Sequence, residues 1–153
     1  MAIFFLACTS PPPLEQASVS STELARGVLD ALAQTDRAGL ERLAVSEREF
    51  RDHVWPQLPA ARPERNLPFS YVWGDLRQKS DASLSKALAE HGGRRYTLVG
   101  VDFAGDTDYT TYRVHRDATL RVRDAEGVET TIRVCGSMIE KNGAWKVFSY
   151  VID

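Results

Sequence analysis

Apolar and polar positions along this chain change their period near Arg94. Before that point Leu24, Val28, Leu29 and Leu32 recur at helical spacing. They follow S-S-T-E, in which Ser20 and Glu23 make a capping box, so a helix is predicted over 21–34. Thr35-Asp36 caps a second helix with Leu40, Leu43 and Ala44 inward. Ser46 and Glu49 of S-E-R-E form another capping box, ahead of a short helix with Phe50 and Val54 on its inner side. Pro56, Pro59, Pro63 and Pro68 each remove a backbone donor and restrict the preceding residue, which predicts an ordered, irregular loop over 56–68. F-S-Y-V-W (69–73) alternates aromatic with small residues and reads as a short strand. Leu84, Ala87 and Leu88 predict a helix over 81–91, stopped by Gly92-Gly93.

From Arg94 the period is two. Strands are predicted over 94–103, 109–116, 118–123, 128–140 and 144–152. D-A-E-G (124–127) and E-K-N-G (140–143) both read as a type I turn followed by a left-handed glycine, so the strands form an antiparallel meander. The fourth strand is about twice the usual length, and Gly136 in its middle predicts a bulge or bend and a strongly curved sheet. Parity sends Tyr112, Val114, Leu120, Val122, Ile132 and Val134 toward the helices. Arg113, His115, Arg121, Arg123 and Arg133 point outward, where Asp124, Glu126 and Glu129 can pair with them. The last strand is apolar on both faces, with Trp145, Val147 and Val151 on one and Phe148, Tyr150 and Ile152 on the other. One set needs cover beyond the helices, either the proline loop or a second copy in a homodimer through the sheet.

Composition narrows the class. A 153-residue chain with formal net charge −2 and ordinary apolar content is one domain long and carries no basic patch for nucleic acid. The only run with targeting potential is the start, where apolar Ile3 to Ala7 gives way to Cys8 and then to Pro11-Pro12-Pro13. The segment L-A-C-T-S resembles the lipobox of bacterial lipoproteins, which implies acylation of Cys8 and a place in the bacterial cell envelope, with the membrane touched only through that anchor. On this reading 1–8 is the remnant of a signal, 9–19 an unstructured linker and 20–153 one α+β domain. Cys8 and Cys135 lack metal-ligand spacing, and no phosphate loop, H-E-x-x-H or G-x-S-x-G occurs, so no metal and no cofactor is expected.

Helices, one short strand, another helix and then a curved antiparallel meander ending in G-A-W-K-V-F-S-Y-V resemble the cone-shaped α+β fold of the nuclear-transport-factor-2-like superfamily. That superfamily holds isomerase-like and dehydratase-like enzymes, ligand binders and small secreted proteins, so the resemblance implies a fold and no single activity. Its enzymes place titratable groups in an apolar cone, where burial tunes them. The candidates for a pocket here are His53 and Trp55 beside the proline loop, Tyr71 and Trp73 of the aromatic stretch, and Asp102. Asp102 is either a buried acid or a solvated strand-end charge. His91 reads as a helix-terminal cation and His115 as a member of the arginine face.

Three functions stay open. The first is a cell-envelope lipoprotein whose non-enzymatic domain binds a small ligand or a protein. The second is an isomerase, dehydratase or hydrolase acting on a hydrophobic small molecule in the cone. The third is a dimeric interaction module without a ligand. Pocket content separates them: convergent titratable groups in an enclosed cavity favour the enzyme, an open apolar cavity the binder, and a filled interior the interaction module.

Overall fold

The computed structural model describes residues 13–152, so Cys8 lies outside the described residues. The architecture is α+β: helices precede two antiparallel sheets. Helix α1 (Ser21–Ala33) starts at Ser20, whose side chain accepts from the Glu23 amide, and buries Leu24, Val28, Leu29 and Leu32. Asp36 caps α2 (Arg37–Leu43). Helix α3 (Glu47–Glu49) carries the expected capping box and runs into a π-helical turn, Phe50–Val54. The proline segment is a chain of 3₁₀ turns, Trp55–Gln57, Pro59–Ala61 and Pro63–Arg65, each with proline in its first turn. No helix among the described residues is long and apolar enough to cross a membrane.

The short strand expected at 69–73 is instead the start of α4 (Phe69–His91). Five alternating residues fit either period. The longer window decides, because Phe69, Val72, Trp73 and Leu76 stand at i, i+3, i+4 and i+7 and pack together on one apolar cluster. Farther along, Leu84 and Ala87 enter the other cluster. The helix therefore bridges both cores.

The strands are β1 (Thr97–Asp102), β2 (Gly105–Asp108), β3 (Arg113–Arg116), β4 (Thr119–Arg123), β5 (Glu129–Ile132), β6 (Ser137–Lys141) and β7 (Ala144–Ser149). One sheet has the order β1-β4-β5 and the other β2-β3-β6-β7. They are two halves of one creased meander: backbone bonds from Ala104 to Arg116 and from Ala118 to Gly136 continue the pairing where the strands break. The single strand expected over 128–140 is thus two strands in different sheets. Gly136 lies at the crease, where its amide bonds the Ser149 carbonyl and a Cβ would overlap the Val151 carbonyl oxygen. The pattern of G-D-T-D predicts no strand, because these residues have little strand propensity, yet β2 forms there, and its charged residues suit its place at a sheet edge.

The crease also changes the phase of alternation. Val114 and Tyr112 belong to one cluster while Leu120 and Val122 belong to the other. Between them Asp117 takes a positive φ of 54°. The outer arginines are salt-bridged, but mostly to other acids than Asp124, Glu126 and Glu129: Arg121 pairs with Asp102 at 2.8 Å and Arg133 with Asp117 at 3.6 Å. Arg123 meets an expected partner, Glu129 at 3.9 Å, and Asp124 instead accepts from the amides of its own turn. The D-A-E-G turn has Gly127 at φ 80° and closes through Asp124 and Val128. The E-K-N-G turn is tighter than expected: Lys141 pairs with Ala144, and Asn142 and Gly143 both have positive φ, a two-residue mirror-type turn.

Both faces of β7 are covered from within the chain. Val147 packs with the α1 cluster, and Phe148 packs with Phe50, 6.3 Å between ring centroids, in the cluster that includes Trp73. Residue 148 is the extra one in a bulge, because Met138 pairs with Val147 and Ser137 with Ser149. The bulge moves Tyr150 to the Val147 cluster, away from Phe148, with which it was expected. The cover is the 50–54 turn and the start of α4. Finally, part of the stretch read as linker is a strap on the body. Leu14 is buried, and Ser18 exchanges two backbone bonds with Trp145 along the β7 edge.

Candidate functional site

A groove of about 440 Å³ opens between α2, the middle of α4, β7 and the strap. Its walls include Trp73, Leu76, Leu84 and Phe148, and its floor holds Glu49 and Lys146. Each element brings its residue there for a local reason. The capping box folds the Glu49 side chain back over the start of α3, where its Oε2 accepts from the Ser46 amide at 2.9 Å. Lys146 alternates with Trp145 and Val147 and so points to the face opposite α1, into Glu49. Both residues are at most 5% exposed.

The Glu49 carboxylate is saturated. Oε1 accepts from the Glu15 amide at 2.7 Å and from Lys146 Nζ at 3.2 Å, while Oε2 accepts from the Ser46 amide and from Lys146 Nζ at 2.9 Å. Burial pushes its pKa up, but the Ser46 amide, the Lys146 ammonium and the Glu15 amide outweigh this and hold it below the usual carboxylate value. Ser80 Oγ accepts from the Tyr150 amide at the same level of the groove, and Tyr150 donates its hydroxyl to the Leu40 carbonyl.

Of the five residues proposed as a pocket, only Trp73 lines this groove. His53 is buried in the π-helical turn, where its Nδ1 accepts from Lys141 Nζ at 2.9 Å. Trp55 stacks edge-on against Phe69 at 5.6 Å. Tyr71 is 64% exposed on α4. Asp102 is the solvated of its two alternatives, exposed and bound to Arg121. The sequence pattern assigns Lys146 no role, since its partner Glu49 lies 97 residues away. One signal was available: a lysine between apolar neighbours in a strand buried on both faces needs a buried acceptor.

Two other histidines depart from expectation. His115 is not on a solvated arginine face but is buried, stacked on Trp145 at 4.6 Å, with Nδ1 2.7 Å from Asp106 Oδ1 and Nε2 2.9 Å from Glu140 Oε2. Burial pushes the pKa of His91 down, and its Nδ1 meets the Tyr96 hydroxyl, so it is not simply a terminal cation. Burial pushes the Cys135 thiol up to about 12, as suits an unreactive core residue. Among the described residues no group of three His, Cys, Asp or Glu side chains is placed to hold a metal ion. Comparison of the chain with protein-family models, with curated proteins and with solved structures finds no match.

Proposed function

We propose that this chain is a lipid-anchored cell-envelope protein whose α+β domain, of the nuclear-transport-factor-2-like cone type, binds a small molecule in the α2–α4–β7 groove. The observation that carries the reading is a half-open cavity of about 440 Å³ with aromatic and aliphatic walls over a polar floor, a size within the usual range of ligand sites. The enzyme alternative has less support, since a general base needs a free lone pair and the Glu49 carboxylate already accepts four hydrogen bonds. Helices followed by a creased antiparallel meander support the cone type. The anchor rests on L-A-C-T-S, with Cys8 only six residues before buried Leu14. Six residues reach at most about 20 Å. An acylated Cys8 would hold the groove close to the bilayer.

Nile red, a neutral apolar dye, tests the groove. The expected result is saturable one-to-one binding to the wild type, lost in Ala38→Trp, which fills the rim from an exposed position on α2. Binding unchanged in Ala38→Trp would overturn the reading. Mass spectrometry of Cys8 in the membrane fraction tests the anchor, and an unmodified thiol there removes it.

A further inference from the structure

Resting on the groove as a binding site, we infer that its ligand is an uncharged, largely apolar molecule with one oxygen acceptor, seated on Lys146 Nζ. The floor decides the polarity of that contact. A lysine ammonium has three donors and no acceptor. Its hydrogen bonds among the described residues go to Glu49 alone. Glu49 is saturated, so the floor has donor capacity left at Lys146 and no acceptor capacity left at its partner. The complement of a buried charge-assisted donor is a carbonyl, ester or hydroxyl oxygen.

Charge argues against an anion in that place. Glu49 already neutralises Lys146 at 2.9 Å. The other acids lining the groove are Glu15, Glu41 and Asp81, against Arg42 and Arg77, so the lining carries four carboxylates and three cations. The rim cations are engaged as well, Arg77 with Asp81 at 3.3 Å and Arg42 with Asp36 at 3.7 Å. A carboxylate ligand would be desolvated in a groove with no spare positive charge, whereas a neutral oxygen meets the remaining donor without that cost. Trp73 and Phe148 supply flat apolar surface for the rest of the molecule.

Three probes of one shape separate the possibilities: methyl 2-naphthoate, 2-naphthoate and 2-ethylnaphthalene. The ester should bind the wild type about tenfold more tightly than the hydrocarbon, the worth of one charge-assisted hydrogen bond, and more tightly than the anion. The ester carbonyl stretch should shift to lower wavenumber in the wild-type complex relative to its position in alkane, a readout that needs no variant. In Lys146→Met the advantage of the ester over the hydrocarbon should vanish, and in Trp73→Ala all probes should weaken together. Equal affinities for ester and hydrocarbon, an unshifted carbonyl, or tightest binding by the anion would overturn the inference while leaving the groove as a binding site. Absence of binding by all three, or binding that Trp73→Ala does not weaken, would remove both.

Discussion

Lys146 Nζ lies 2.9 Å from Glu49 Oε2 across 97 residues of sequence, joining the last strand to the capping box of α3 at the floor of the groove. A buried pair is held in place by the cost of separating it more than by its own net gain. Lys146→Met, which leaves the Glu49 carboxylate buried without its cation, should lower stability by about 3–5 kcal/mol. The double variant Glu49→Gln/Lys146→Met should lose clearly less than the sum of the single variants, because it buries no lone charge. Urea denaturation of the three variants measures this; strict additivity would show that the two side chains act independently.

Acid should act through the same carboxylate. Glu49 is held below its ordinary value of 4.5 in the folded chain, so it binds a proton more readily when unfolded. Its stabilising contribution is then complete above about pH 4.5 and is lost as pH falls from there through the lower folded value. The urea midpoint of the wild type should therefore drop more than that of Glu49→Gln between pH 6 and pH 3. Parallel curves would mean that Glu49 titrates alike in both states.

Two glycines make opposite predictions. At Gly136 a Cβ would meet the Ser149 carbonyl oxygen at 3.0 Å and overlap that of Val151, so Gly136→Ala should cost about 1–3 kcal/mol. Gly74 is exposed inside α4, and nothing lies within 4 Å of the Cβ position. Gly74→Ala should raise stability by about 0.5–1 kcal/mol. Thermal melts of both variants check the crease and the extended α4 together.

Phe148 is covered within one chain by Phe50 and by the cluster that contains Trp73. Phe148 is half-buried, so Phe148→Ser should destabilise by about 1–3 kcal/mol. The loss should be independent of protein concentration across the micromolar range, in urea melts paired with sedimentation equilibrium. A loss that depends on concentration would restore the second copy as the cover of this face.

The strap makes the last prediction. Leu14 is 7% exposed, and the neighbouring Glu15 amide bonds Glu49. A chain beginning at Ser20 should lose about 2–4 kcal/mol, the worth of a buried leucine and its attendant hydrogen bonds. Stability equal to the full chain would return residues 14–18 to the status of linker.

The sequence by itself determined whatever depends on near neighbours. Ser20, Asp36 and Ser46 start helices because a side-chain oxygen three residues from an unpaired amide needs no tertiary partner to cap it. Gly127 and Gly143 turn their hairpins because few other residues adopt their left-handed backbone. Gly136 announced a bend in the long strand but not its division between two sheets, and alternation announced the outward arginines but not most of their partners. Only the tertiary structure decided the rest. Residues 69–73 are helical because Phe69 and Trp73 find the Phe50 side of the core, where a strand could not stack both. The change of phase at Asp117 and the bulge at Phe148 assign Val114 and Tyr150 to their clusters, and no local pattern records how many residues a crease consumes. The groove escaped the sequence for the same reason. Glu49 reads as a cap and Lys146 as a strand lysine until the fold brings them together, since burial and charge pairing are properties of approach in space and not of spacing along the chain.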